Sequence, residues 1–318
     1  MGMSQNHPVT RFISKAYFAI GLIYGEPIGS EDMEELYQKY KGLLFKLAYQ
    51  LTGSVTDAED VVHDVFLKIV DVPPEKLAEP KAYLCKMVTN RCRDLQKSAR
   101  RKREQYYGEW LPEPLHSMND DAIDAVVRDD LLSYAMLVLL ERLSPTERVV
   151  FVLREALGFD YHEIAELVEK SEVNCRKLFS RANAKMGITS EQLVHSEGAT
   201  PELVHGFLSA LKQGNLNQIL SILDQEVVLV SDGGGKVSAV VEPLSTRELV
   251  AQFLIGPLHR ATTIDGVHIE VVQINRQPAF ILRSSEGIHT VGILHVEKNR
   301  IRNIYIVRNP DKLKHVGE

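Results

Sequence analysis

A chain of 318 residues with 44% hydrophobic and 25% charged residues is long enough for two or three domains with real cores, and its balance is that of a soluble globular protein. Its three cysteines, Cys85, Cys92 and Cys175, form neither a CxxC pair nor a Cys/His cluster, which argues against a disulfide scaffold and against a zinc site. The formal net charge of -6 argues against a uniformly basic nucleic-acid binder, yet it hides an asymmetry: residues 81–103 hold nine Lys or Arg against one acid, and residues 104–130 hold eight acids against one Arg.

Residues 1–30 read as a weakly structured extension. Arg11 and Lys15 precede an apolar run over residues 16–25 that imitates a signal peptide, but the run is too short to span a bilayer and no small-x-small cleavage site follows. A true start near Met33 is the other reading. No membrane contact is expected, and the expected location is cytoplasmic.

Residues 31–103 read as an all-helical domain. Leu36, Tyr40, Leu43, Leu44, Leu47 and Leu51 recur at helical spacing until Gly53 and Ser54 break the pattern. Thr56 and Glu59 are spaced as a capping box for a helix with Val61, Val62, Val65, Phe66, Ile69 and Val70 inside. Pro73 and Pro74 end it. Pro80 opens a long helix that runs into the arginine cluster at residues 100–103, with Cys85 and Cys92 on one face, where a redox switch stays open. Residues 104–128 read as an acidic linker around Trp110-Leu-Pro-Glu-Pro114, which holds the single tryptophan.

Residues 129–187 contain a helix-turn-helix whose boundaries can be read directly. Ser144 caps a helix with Pro145 in its first position and Glu147 completing a capping box; Asp160 and Glu163 repeat that box; Ser171 caps a third helix. Val173, Leu178 and Phe179 are expected inward, with Asn174, Arg176, Lys177, Ser180, Arg181 and Lys185 outward. Two short helices and a basic second helix form the unit that lays a helix in the DNA major groove. Glu169 stands in the turn where glycine is commoner.

Residues 200–318 change character. Helices over 201–213 and 216–223 precede β-rich sequence. Segments 227–230 and 237–241 flank Asp232-Gly-Gly-Gly-Lys236 as an expected hairpin. A helix over 246–254 and strands over 267–274, 279–283, 289–296 and 301–307 complete an α+β cone enclosing a pocket. The fold class is therefore multidomain: two all-α domains followed by an α+β cone. A plain β-turn is one reading of the glycine run; three glycines exceed what a two-residue turn requires, and close backbone approach by a partner is one reason for the excess.

Two further features carry chemistry. The helix from Pro80 has an apolar face (Leu84, Met87, Val88, Leu95) and a basic one with Asn90 and Asp94 one turn apart, suited to a phosphate backbone and to extruded bases. Asp57, Asp60 and Asp64 lie at successive turns of the preceding helix, an acidic ridge suited to a basic protein surface.

On these residues, 31–187 resembles an extracytoplasmic-function (ECF) RNA polymerase sigma factor of the sigma-70 family. Asp57-Ala-Glu-Asp-Val-Val-His-Asp-Val-Phe66 is similar to the family helix that docks on core polymerase. Asn90 and Asp94 match its -10-reading helix, with Tyr83 where many members carry Trp. Residues 161–186 match its -35-reading helix-turn-helix. The motifs Trp110-Leu-Pro-Glu-Pro114, Asp232-Gly-Gly-Gly-Lys236 and Asn309-Pro-Asp-Lys-Leu313 are similar to the signatures of a SigJ-like group with a fused SnoaL-like, NTF2-like domain.

The resemblance implies a promoter-specificity subunit with bacterial core RNA polymerase and promoter DNA as partners, no cofactor, no metal and no catalytic residue. Asn174, Arg176, Lys177, Ser180 and Arg181 would read the -35 element. Tyr83, Asn90, Arg93, Asp94 and Lys97 would read the -10 element, and Asp57, Asp60 and Asp64 would dock polymerase. Trp110, Pro112, Pro114, Asp232, Gly233, Gly234, Gly235, Lys236, Asn309, Pro310, Asp311, Lys312 and Leu313 would join the cone to the linker in a regulatory, compact off-state. Removing the last residues could then activate, or removing the whole cone could inactivate. The alternatives are a one-component regulator whose cone binds a small apolar ligand, a cone with enzymatic acid/base residues among His205, Asp224, Asp232, His259, His289 and His295, of which Asp232 is better used in the turn, and a conventional repressor that never meets polymerase.

Overall fold

The computed structural model describes residues 30–73, 77–104, 106–116, 132–187, 199–263 and 266–316. The expected extension, the acidic stretch 117–130 and the side chains of Lys97 and the cluster at 100–103 lie outside the described parts. No helix among the described residues is long and apolar enough to cross a membrane.

Three helices build the first domain: α1 (Ser30–Thr52), α2 (Val55–Ile69) and α3 (Pro80–Glu104). Leu44, Leu47, Leu51, Val61, Val65, Ile69, Leu84 and Val88 close its core. The expected capping box of α2 is displaced. Ser54, not Thr56, is the N-cap and accepts from the Asp57 amide at 3.1 Å, because Gly53 turns the chain left-handed (φ +70°) one residue earlier.

Four helices follow in the second domain: α4 (Tyr134–Leu140), α5 (Pro145–Glu155), α6 (Tyr161–Val168) and α7 (Glu172–Met186). Both expected capping boxes form, Ser144 with Glu147 and Asp160 with Glu163, and Ser171 caps α7. Glu169 adopts the left-handed conformation (φ +56°) that its place in the turn demands. One side chain departs from the expected pattern. Val173 is 63% exposed and Cys175 is buried in its place, because α7 packs through Cys175, Ala182 and Met186.

The C-terminal unit opens with α8 (Pro201–Lys212) and α9 (Leu216–Ile222), continues through β1 (Leu223–Asp232), β2 (Leu244–Ser245) and α10 (Arg247–Thr263), and closes with β3 (His268–Ile274), β4 (Gln277–Ser284), β5 (Gly287–Glu297) and β6 (Arg300–Val307). The sheet order is β2-β1-β6-β5-β4-β3, with β1 and β6 parallel and the other pairs antiparallel. The expected hairpin at the glycines does not form. β1 ends at Asp232, Gly233–Lys236 is a turn closed by the Lys236 amide on the Gly233 carbonyl at 3.0 Å, and β1 pairs with Leu244 and Ser245 instead of 237–241. α10 runs well past the expected end at 254.

The sheet is buried on both faces. Phe280, Leu282, Leu294, Ile304 and Ile306 pack on α8–α10, whereas the alternate residues Ala279, Ile281, Ile293, Tyr305 and Val307 join one apolar core with both helical domains. The cone therefore shares a core with the domains that precede it.

Candidate nucleic-acid interface and interdomain strap

The basic helices come first. On α7, Asn174, Arg176, Lys177, Ser180 and Arg181 are all exposed, the arrangement a major-groove helix requires. Arg176 lies 4.2 Å from the centroid of the Tyr161 ring and 3.5 Å from Glu172. At the other end of α7, Lys185 bonds Glu147 at 2.6 Å. Burial alone would raise the Glu147 carboxyl, but hydrogen bonds from Lys185 and Ser144 outweigh it and hold the group below its ordinary value.

On α3, Asn90 and Asp94 are exposed and Tyr83, Arg91 and Arg93 are half-buried. A cleft of about 250 Å³ lies between α2 and α3, lined by Asp64, Lys68, Asn90, Arg91 and Asp94 among others. The acidic ridge is not uniform. Asp60 is exposed and Asp57 half-buried; Asp64, expected to face a partner, receives Arg91 Nε at 2.9 Å, because α3 packs a cation against that turn. Burial pushes the Cys85 thiol up to about 12 and raises Cys92 as well; both are free and buried, the wrong setting for the redox switch left open above.

The two helical domains touch directly. Lys86 on α3 pairs with Glu169 in the helix-turn-helix turn at 2.8 Å, and Lys81 sits 4.7 Å from the Phe159 ring centroid. Buried Arg148 of α5 donates to the Leu51 carbonyl at 2.9 Å, satisfying one of the orphan acceptors at the end of α1.

Residues 106–116 form an extended strap between the helical domains and the cone. Its amides alternate between the two sides of this interface. Leu111 N–H donates to Asp232 Oδ2 at 2.9 Å, Glu113 N–H to the Gly53 carbonyl at 2.8 Å and Leu115 N–H to Asn275 Oδ1 at 3.0 Å. Positions 112 and 114 are prolines, buried and without an N–H, so no amide between these three is left unsatisfied. The Leu115 carbonyl accepts from the Asn275 amide at 2.8 Å, and His116 bridges Ile274 at the end of β3.

At the cone end, Asp232 is fully buried. Its carboxylate accepts from Tyr106 Oη (2.6 Å), Gly234 N (3.0 Å), Leu111 N (2.9 Å) and Lys312 Nζ (2.7 Å), which fills the acceptor capacity of a carboxylate. Its main-chain carbonyl takes the amides of Arg308 and Asn309. Lys312 Nζ also donates to the Leu111 carbonyl and lies 3.9 Å from the Trp110 ring centroid. Asn309 donates to Tyr106 Oη at 2.8 Å, and Lys236 pairs with Asp311. A Cβ at Gly234 would fall 2.4 Å from Asn309, so the glycine run permits the close approach of the C-terminal segment.

At the helical end, Trp110 covers Gly53, where a Cβ would meet the indole at 2.8 Å. The Glu113 carboxylate accepts from Ser54 Oγ (2.9 Å) and Val55 N (2.7 Å), capping the N-terminus of α2. Thr56 Oγ1 lies 3.1 Å from His315 Nε2, beside buried Leu313 and Val316. Tyr49 Oη donates to the Glu113 carbonyl at 2.7 Å and accepts from Asn275 Nδ2 at 2.8 Å; Tyr134 Oη donates to the Pro112 carbonyl at 2.7 Å. Burial raises both phenols, which keeps them donors.

Thus Trp110, Asp232, Gly234, Asn309 and Lys312 meet in one network, and Lys236 with Asp311 forms its exposed edge. Pro112 and Pro114 lie in the strap between the two ends. Glu113, Tyr49, Tyr106, Tyr134 and Asn275 join it without having been singled out from the sequence. Of the acid/base candidates in the cone, Asp224 pairs with Arg302 at 2.7 Å, His289 meets Ser284 at 2.6 Å and His295 meets Glu297 at 3.2 Å; the side chain of His259 lies outside the described residues.

Two helical domains, a basic helix-turn-helix and a second basic helix carrying Asn90 and Asp94 define a promoter-recognition protein of the sigma-70 type. Residues 36–102 match the model of Sigma-70 region 2, and residues 133–186 match that of Sigma-70, region 4. The chain is 35% identical over 222 residues to the ECF RNA polymerase sigma factor SigJ of Mycobacterium tuberculosis, covering 68% of this chain and 70% of that protein. It is 29% identical over 281 residues to the probable ECF RNA polymerase sigma factor SigI of the same species, covering 87% and 93%. The crystal structure of SigJ matches with a TM-score of 0.72 at 27% identity, covering 88% of this chain and 97% of that one. The chain belongs to the ECF family of RNA polymerase sigma factors and functions in transcription initiation.

Proposed function

We propose that this sigma factor is held closed by its own C-terminal cone, and that core polymerase binds the opened form. The units are 31–103 (region 2), 104–128 (linker), 129–187 (region 4) and 200–318 (cone). In the open form, Asn174, Arg176, Lys177, Ser180 and Arg181 read the -35 element, Tyr83, Asn90, Arg93, Asp94 and Lys97 act at the -10 element, and Asp57 and Asp60 face polymerase beside the Asp64–Arg91 pair.

One observation carries the regulatory part. The buried Asp232–Lys312 pair belongs to the cone, yet it is completed by the amide and carbonyl of Leu111 and the ring of Trp110 in the strap. A buried ion pair is costly unless its remaining donors and acceptors are satisfied, so removing the strap would leave both charges under-satisfied. Coupling follows, because the cone is stable with the strap seated and the strap spans both helical domains. A fused partner also has a high effective concentration, so a modest interface suffices. This regulation requires no small-molecule ligand in the cone.

The test is run-off transcription with bacterial core polymerase, comparing the full chain with Trp110→Ala and Glu113→Ala, which remove strap contacts at Gly53 and at the start of α2 without stranding a buried charge. Specific transcripts that increase in the variants are expected. Equal transcription from all three would contradict the lock, and failure of the full chain and of both loosened variants to bind core polymerase in a pull-down would contradict the sigma-factor activity itself.

A further inference from the structure

We infer that Tyr161 is a specificity-determining positioning residue whose ring orients Arg176 for bidentate contact with a guanine of the -35 element. This rests on the reading above that Arg176 faces the -35 bases. Tyr161 is the first residue of α6, immediately after the Asp160 N-cap, and the capping box fixes its backbone. Its ring meets Phe179 of the recognition helix edge-on at 6.2 Å, and Phe179 stacks on Phe151 in the core at 5.7 Å. The ring is thus tied to the hydrophobic core of the module.

Two guanidiniums lie over this ring, Arg176 at 4.2 Å and Arg154 at 5.0 Å from its centroid. Their situations differ. Arg154 is committed elsewhere, donating to the Phe159 carbonyl at 3.0 Å. Arg176 is 60% exposed, and its carboxylate partner Glu172 stands at 3.5 Å, longer than a hydrogen-bonded pair. A guanidinium resting on an aromatic face keeps its in-plane donors free, and those donors form the fork that matches guanine O6 and N7. A long arginine side chain loses rotamer freedom when it binds. An aromatic platform removes part of that loss before DNA arrives, and it selects rotamers that project the fork from one place. Glu172 completes the device as a weakly held anion that a base edge can displace.

The hydroxyl of Tyr161 has no part in this account, so phenylalanine should serve as well, whereas leucine fills space without offering a π-face. The experiment uses holoenzymes assembled from bacterial core polymerase and the full-length wild type, Y161F, Y161L or R176A. Each selects from promoter DNA randomised across the -35 element, read by sequencing, with a thermal melt of every variant. Wild type is expected to enrich guanine at one position. R176A should weaken that preference by roughly 5- to 150-fold, the range of a lost bidentate pair. Y161L should weaken it by about two- to fivefold at the same position only, the range of an exposed cation–π contact. Y161F should match wild type.

A Y161L holoenzyme with the wild-type guanine preference would overturn the inference, as would a parallel loss at every position accompanied by a lower melting temperature. Unchanged selection by R176A would remove its premise. A wild-type holoenzyme that selects no -35 sequence would overturn the promoter-reading function itself, a result distinguishable from either of the others.

Discussion

The helix-turn-helix and the strap are held in opposite ways. In the helix-turn-helix each cap bonds an amide three residues away: Ser144 with Glu147, Asp160 with Glu163, Ser171 with Asn174. The strap receives its bonds from residues far off in the chain, Gly53 on one side and Asp232 and Asn275 on the other. The first segment carries its own instructions. The second takes its amide partners from three separate parts of the chain, so under the proposed lock it would form and release as a unit with the interface.

The sharpest way to break this contrast is at Asp232. Asp232→Ala leaves Lys312 buried without its partner and frees the Leu111 amide, a change expected to cost about 3–5 kcal/mol. Chemical denaturation should register that loss, and fluorescence transfer between labels on α7 and the cone should report opening. Replacing both partners, Asp232→Leu with Lys312→Met, should recover only part of the loss, because an apolar pair strands no charge but leaves the Leu111 and Gly234 amides and the Tyr106 hydroxyl without their acceptor.

Asn275→Ala tests the far end of the strap. It removes both side-chain bonds, to Leu115 and Tyr49, at a buried site, and should cost roughly 1–3 kcal/mol. Amide exchange should quicken at Leu115 while the caps of α5–α7 keep their protection. Ser171→Ala is the local counterpart. It should cost about 1 kcal/mol, confined to α7 in an exchange map and without effect on the strap.

A pH titration separates the regions further. The Glu147 carboxyl is held low in the folded state, so its contribution is fully present above its unfolded value near 4.5 and disappears as pH falls through the lower folded value. Glu147→Gln should flatten that acid limb of the stability profile measured by thermal melts. The smallest effect belongs to Glu169→Gln, which removes the exposed pair with Lys86. Its influence on domain closure should be visible by fluorescence transfer at low salt and vanish at high salt.

The same contrast explains what could be read from the sequence. Capping residues act over three or four positions, so the limits of α5, α6 and α7 were legible residue by residue. Strands β3–β6 are short apolar runs rich in Val and Ile between turn residues, enough to place them within a few residues. The three signature motifs were legible as a set only by resemblance, and their meeting point was not, because nothing local ties Asp232 to Leu111 or Lys312. Errors arose where a tertiary partner overrode a local pattern. Gly53 and Glu113 moved the cap of α2 to Ser54, and pairing of β1 with β6 and with Leu244 replaced the hairpin. Val173 followed the apolar rule but not the packing of α7. Asn275 and Tyr106 had weak signals, the one a turn-former beside Arg276, the other an aromatic four residues before Trp110.

The most direct test is hydrogen exchange at the amides of Leu111, Glu113 and Leu115 in the full chain, alone and bound to core polymerase. The lock predicts strong protection of all three in the free chain and its loss in the holoenzyme, with the caps of α5–α7 unaffected. Protection that persists unchanged in the holoenzyme would contradict it, because polymerase would then be binding the closed form.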